Sequence, residues 1–186
     1  DIKFNYALEF EEDGKKMLFF NKLIDAITLE KYSIWREFII KGIDFEDNQD
    51  PISAIQMYNK AKNILPNNSN TYIKLYSIYL NQNNIDLAKN AIYEGYKVDS
   101  TNVMINYYIG DIEGQMKNYK VSEKFYKYAA DNAKDSKFMY GLLYSYIEQG
   151  KNQVAIEYSE KLLDQNPEDQ NLTYNVAVLY QRLGID

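Results

Sequence analysis

The sequence predicts an all-α solenoid of antiparallel helix pairs, about five repeats plus one extra helix, and three observations predict it. Small residues recur at Ala54, Ala88, Ser122 and Ala155, spaced 34, 34 and 33 apart. Aromatic residues stand nine positions before most of them, at Phe45, Tyr79 and Tyr146, and Tyr180 marks a final incomplete copy. Pro66 and Pro167 lie 101 positions apart, three periods less one residue. A fixed period in this range marks stacked supersecondary units, none of which can bury its apolar face alone. Residues 1–186 therefore read as a single array.

The first unit, about 1–34, is degenerate. Phe4, Tyr6, Ala7 and Phe10 give a short apolar face, Gly14 interrupts it, and Met17, Phe19, Phe20, Leu23, Ile24 and Ile27 recur at helical spacing. This predicts a helix, a tight turn and a second helix. Unit two, 35–68, carries Phe38, Ile39, Gly42 and Phe45 on its first helix. Asp50-Pro51 restarts the chain, since aspartate caps a helix and proline fits its first turn. Ala54, Tyr58 and Ala61 line the second helix, and Pro66-Asn67-Asn68 stops it.

The third unit, 69–102, has Tyr72, Leu75, Tyr79, Ala88, Ile92 and Gly95. The fourth, 103–135, keeps Gly110, Ser122, Tyr126 and Ala129, and the fifth, 136–169, keeps Leu142, Tyr146, Gly150, Ala155, Leu162 and Pro167. The sixth, 170–186, is incomplete and repeats the pattern at Val176, Ala177, Tyr180 and Gly184.

Composition narrows the function classes. A net charge of −6, from 21 basic and 27 acidic residues, lacks the clustered cations that hold a phosphate backbone, so no nucleic-acid partner is expected. Histidine and cysteine are absent, removing the commonest general base, the thiol nucleophile and the commonest metal ligands. Neither cofactor nor metal is expected, and the chain is not expected to be an enzyme. No apolar run approaches the roughly 18 residues of a membrane span, so no membrane insertion is expected. The chain begins at Asp1 and not at methionine, which reads as processing or excision. A cytoplasmic address is favoured, with export left open.

The small, aromatic and proline positions resemble the tetratricopeptide repeat, whose pattern is W-x2-L-G-x2-Y, then A-x3-F, then A and P, over about 34 residues. The resemblance covers essentially the whole chain and is strongest from Trp35 onward; a related helical-hairpin repeat is the rival. It implies a right-handed superhelix. In this frame Gly42, Gly110 and Ala177 on first helices, with Ala54, Ala88, Ser122 and Ala155 on second helices, let paired helices approach closely. Phe45, Tyr79, Tyr146 and Tyr58 would fill the space between repeats. Tyr76 and Leu143 depart from the pattern where the family prefers glycine or alanine, and Glu113 replaces an aromatic.

The resemblance also implies that the first helix of each unit lines a concave groove, presenting its second, fifth and ninth residues. These are Arg36, Ile39 and Ile43; Asn70, Ile73 and Ser77; Met104, Tyr107 and Asp111; Lys137, Tyr140 and Tyr144; and Asn171, Tyr174 and Val178. Tyr107, Tyr140 and Tyr174 would form a ladder beside Tyr144, unless these rings pack between repeats instead. Co-chaperone members of the family clamp a C-terminal carboxylate with lysine and asparagine at such positions. Ile39 with Ile43, Ile73 with Ser77, and Tyr107 with Asp111 cannot assemble that clamp.

Other motifs carry less. Asp44, Glu46, Asn48 and Asp50 alternate like a calcium loop, but Gln49 and Ile55 stand where glycine and glutamate are needed. Asn67-Asn68-Ser69 and Asn171-Leu172-Thr173 fit glycosylation acceptors, a short pattern in an asparagine-rich chain. Glu11, Glu12, Asp164 and Glu168 read as solvated faces, and Gly110 with Gly114 lacks the lysine of a phosphate loop. The reading is a non-catalytic scaffold that binds a protein or peptide in its groove. The alternative is an assembly module that self-associates or docks through its end repeats, motivated by Val176, Leu179, Tyr180 and Leu183, which would need a covering helix.

Overall fold

The computed structural model describes residues 13–133, 135–165 and 167–184. Among them are nine helices and no strand: α1 (Asp13–Asp47), α2 (Pro51–Ile64), α3 (Ser69–Asn81), α4 (Ile85–Val98), α5 (Val103–Gln115), α6 (Tyr119–Asn132), α7 (Ser136–Glu148), α8 (Asn152–Gln165) and α9 (Gln170–Leu183). The apolar face expected at Phe4, Tyr6, Ala7 and Phe10 lies outside the described residues. The chain divides into two compact units, Asp1–Thr71 and Tyr72–Asp186.

The turns inside the repeats share one backbone solution. Gln49, Asn83, Lys117, Gly150 and Gly184 all have positive φ, between 58 and 69°. They follow one another at intervals of 34, 34, 33 and 34. At the first four, the next amide donates to the carbonyl five residues back: Asp50 to Phe45, Asn84 to Tyr79, Asn118 to Glu113 and Lys151 to Tyr146. The positive-φ residue itself donates to the carbonyl three back, completing a Schellman motif that satisfies the last carbonyls of the first helix. Asp50 and Asn84 then cap the second helices, accepting from the Ser53 and Leu87 amides. Between repeats, Asn68, Asn102, Asp135 and Asp169 accept from the amides of Asn70, Ile105, Lys137 and Leu172.

The one junction without such a cap is absent as a turn. The residue one period before Asn68 is Ile34, which has no acceptor to offer, and residues 29–41 contain no glycine, proline or asparagine. Accordingly α1 runs unbroken through the 34/35 boundary for 35 residues. Within the first unit its Trp35 indole is buried and donates to the Thr71 hydroxyl at 2.7 Å.

In the second unit α5 packs on α6, α6 on α7, α7 on α8 and α8 on α9, while α5 meets α7 and α7 meets α9. This is the neighbour pattern of stacked hairpins. Ala54, Ala88, Ser122 and Ala155 are all fully buried. Ser122 meets the cost of burying a hydroxyl by donating to the Gly110 carbonyl at 2.8 Å.

Glycine at Gly42 and Gly110 makes room for a tyrosine. A Cβ added at Gly42 would collide with the Tyr58 ring, and one at Gly110 would stand 2.6 Å from Tyr126 Cδ1. A Cβ at Gly141, on the following first helix, would also collide with Tyr126. The departure at Leu143 reverses this division of space, and the one at Tyr76 shifts the larger residue to the first helix. Sixteen positions after each glycine stands a tyrosine, Tyr58 or Tyr126; sixteen after Tyr76 and Leu143 stand the smaller Ile92 and Ser159. All are buried. Glu113, where an aromatic was expected, is only 3% exposed. It pairs with Lys89 at 2.8 Å and accepts from the Tyr93 hydroxyl and the Asn118 amide.

At the chain's end the expectation for α9 changes. Val176 and Leu179 need no further helix, because they are already buried, Val176 against Leu162 and Leu172, Leu179 against Leu143 and Ala155. Tyr180 is half-buried and donates to Glu160.

Two outcomes are expected. Gly42→Leu alone should cost about 1–3 kcal/mol through overpacking, and adding Tyr58→Ser, which copies the Leu143–Ser159 combination, should restore much of it. Urea denaturation of both single variants and the double variant measures that coupling. Burial by itself would raise the Glu113 carboxyl, but Lys89, Asn118 and Tyr93 together hold it below its ordinary 4.5. Its contribution is therefore complete above pH 4.5 and is lost as pH falls through the lower folded value. Glu113→Gln should flatten this acid limb of the stability curve and cost about 1–3 kcal/mol at pH 7.

Candidate functional site

The expected groove residues all lie on first helices, and none is fully buried. In the first unit Arg36 is exposed and Ile39 and Ile43 are half-buried on α1, with Asn70 exposed in the first turn of α3. In the second unit, Ile73 and Ser77 of α3 and Met104, Tyr107 and Asp111 of α5 are half-buried. Tyr140 of α7 is half-buried, and Lys137, Tyr144, Asn171, Tyr174 and Val178 are exposed.

The four tyrosines do different things. The Tyr107 ring packs against Tyr108, Tyr126 and Phe138, with centroids 5.2–5.7 Å apart. Burial, with the neighbouring Asp111, pushes its hydroxyl up to about 12. Tyr140 donates to Asp169, the cap of α9, at 3.1 Å, and its hydroxyl is pushed up to about 12 by burial and that carboxylate. Tyr144 and Tyr174 are exposed, at 46% and 69%, with the Tyr144 ring edge-on to that of Tyr119 at 6.3 Å.

Two features stand out on this face. One is Asp111, which accepts a hydrogen bond from the Tyr126 hydroxyl and has the Tyr107 hydroxyl nearby. Among the described residues no lysine or arginine forms an ion pair with it. Burial raises its carboxyl above the ordinary value despite both hydroxyls, which favour the charged form. The Tyr76 ring stacks on Tyr108 at 4.8 Å, and its hydroxyl is pushed up by burial and by Asp111.

The other feature is a cleft of about 240 Å3 between α7 and α9, lined by Tyr140, Leu143, Tyr144, Ile147, Val178, Leu179 and Arg182. Leu143 and Leu179 form its floor, both buried. Exposed Tyr144 and Val178 form its lips, and Arg182 stands at the rim, paired with Glu148 at 3.0 Å.

No family model matches the chain, and no curated protein matches it by sequence. Solved structures do match. PilF of Pseudomonas aeruginosa, 18% identical, aligns over 82% of this chain and 70% of its own, with a TM-score of 0.71. A tetratricopeptide repeat protein from Parabacteroides merdae, 20% identical, aligns over 82% of this chain and 61% of its own, with a TM-score of 0.71. YrrB, described as a TPR protein with an unusual peptide-binding site, is 16% identical and aligns over 79% of this chain and 76% of its own, with a TM-score of 0.66.

The fold is that of the tetratricopeptide repeat.

In the tetratricopeptide frame the cleft joins predicted groove residues, Tyr140, Tyr144 and Val178, to four that sequence reasoning missed: Leu143, Ile147, Leu179 and Arg182. A signal for two of them was present, because Tyr140, Leu143, Tyr144 and Ile147 follow the three-four spacing of one helix stripe. Among the described residues no group of three histidine, cysteine, aspartate or glutamate side chains could hold a metal ion, and no helix is long and apolar enough to cross a membrane.

A carboxyl raised in the folded state stabilises the protein below its unfolded value and loses that contribution as pH rises through the folded value. Asp111 is such a group, so its charge disfavours the fold at neutral pH. Asp111→Asn is therefore expected to leave stability at pH 7 unchanged or raised. Paired denaturation curves at pH 7 and pH 3 check this: the variant's advantage should shrink at the lower pH.

Proposed function

We propose that the first-helix face of residues 72–186 binds an extended segment of another protein, and that the chain acts as a non-catalytic scaffold. The observation that carries this is the apolar cleft between α7 and α9, bordered by exposed Tyr144 and Val178, with Tyr174 69% exposed on α9. Concave, mostly apolar surfaces with a few placed polar groups are the usual form of a recognition site. Solvent-facing aromatics supply large contact area for little entropy loss, which suits an anchor pocket. YrrB, which shares the fold, is described as having a peptide-binding site, and that supports a peptide-sized occupant here.

The test uses Tyr144→Ala with Val178→Asp, both at exposed positions, so that the helical fold persists. Tyr107→Ala would be a poor probe, because that ring is packed among Tyr108, Tyr126 and Phe138. Native-lysate capture by the wild-type chain and by this variant should differ by loss of one or more proteins. Titration of each such protein should show affinity weaker by about 2 kcal/mol, roughly thirtyfold. Equal capture by both chains would move the binding surface elsewhere.

A further inference from the structure

Two features of the face described above remain unused by a general peptide-binding role: a carboxylate without a cation, and the distance between that carboxylate and the apolar cleft. Asp111 accepts from the Tyr126 hydroxyl, has the Tyr107 hydroxyl nearby, and has no ion-pair partner among the described residues. A half-buried carboxylate so placed has hydrogen-bond donors but no opposite charge beside it, so a cation brought to it gains Coulomb energy in a partly desolvated setting. Near it are Tyr76 and Tyr107, whose rings both pack on Tyr108. Aromatic faces next to a carboxylate favour a cation, through the ring quadrupole as well as the charge.

The chain itself supplies a precedent. Lys137 Nζ stands 5.8 Å from the Tyr107 ring centre and 4.8 Å from that of Phe138. Yet its ammonium pairs with Asp135, at 3.4 Å, and not with Asp111. The cleft has the opposite character. Its rim charge, Arg182, is matched by Glu148, and its floor and lips are aliphatic or aromatic.

Resting on the groove reading, we infer that the occupant is an extended peptide with a basic side chain, arginine or lysine, that pairs with Asp111, and a bulky apolar side chain that fills the α7–α9 cleft. Spacing follows from helix packing. Neighbouring helices lie about 8–10 Å apart, so α5 to the middle of the α7–α9 cleft is about 12–15 Å. At about 3.4 Å per residue, that separates the two side chains by about four residues of extended chain. The net charge of −6 favours the same sign of partner at long range.

The probes are synthetic fluorescent peptides in a serine-glycine background, with arginine and phenylalanine two to seven residues apart. Companion sets carry glutamate for arginine, or alanine for phenylalanine. Fluorescence polarisation with the full chain should show the arginine set binding about tenfold tighter than the glutamate set, with an optimum near four residues. That preference should disappear in Asp111→Asn and weaken with added salt, while the dependence on phenylalanine disappears in Tyr144→Ala with Val178→Asp. Circular dichroism and the denaturation curves confirm that both variants are folded. Equal binding of the arginine and glutamate sets, an arginine preference that survives Asp111→Asn, or no binding above the serine-glycine control overturns the inference. The groove reading fails separately, only when the cleft variant retains every protein captured by the wild-type chain.

Discussion

Where the two helices of a repeat come closest, a large side chain on one helix is met by a smaller one on the other. Gly42 admits Tyr58, and Gly110 admits Tyr126, each so tightly that a single added methyl carbon would meet the ring. Where the first helix carries the large residue instead, at Tyr76 or Leu143, the second helix carries Ile92 or Ser159 at the equivalent position. Close packing punishes both a void and an extra methylene, so what varies from pair to pair is which helix supplies the larger residue. This constraint reaches the candidate site. Tyr126 fits only because Gly110 and Gly141 both lack a Cβ, and its position places its hydroxyl on Asp111.

The backbone imposes a second constraint, on the turns. Each first helix ends in a left-handed residue, and a residue's side chain makes that conformation costly everywhere except at glycine. Gly150 and Gly184 meet it without strain; Gln49, Asn83 and Lys117 adopt it because the Schellman hydrogen bonds on both sides demand it. Asparagine and aspartate then start most of the helices that follow, by accepting the first free amides. The abundance of these residues at the junctions is thus structural, and the 34-residue period is written in caps as firmly as in apolar positions.

That explains what could be read from the sequence alone. Ala54, Ala88, Ser122 and Ala155 report close approach directly, and every one is buried. Helix ends marked by Asp50-Pro51 or Pro66-Asn67-Asn68 fall where those residues place them. The continuity of α1 was hidden, because it depends on what Ile34 lacks, and a missing cap leaves no motif to see. Glu113 was legible as a departure but not as an ion pair, since Lys89 comes from another helix and its spacing of 24 matches no local rule. The groove stripe was legible as a face. The environment of each ring on it was not, because Tyr107 and Tyr174 occupy equivalent positions and differ only in what neighbouring helices bring to them.

Asp111 and Glu113 make the clearest case for separating structure from function on one helix. They are two residues apart on α5, so their side chains diverge by roughly 200°. Glu113 points to a fully matched environment, with a lysine, a phenol and an amide around it, and these partners outweigh burial and lower its carboxyl's affinity for protons. Asp111 points to the face shared by the first helices, receives phenols but no cation, and is raised. Were both carboxylates structural, the same helix would complete one and leave the other short of a counter-charge for no gain in stability. A partner that delivers a cation to Asp111 resolves the asymmetry: the energy withheld from folding at that position becomes available on binding, and only to a ligand of the right charge.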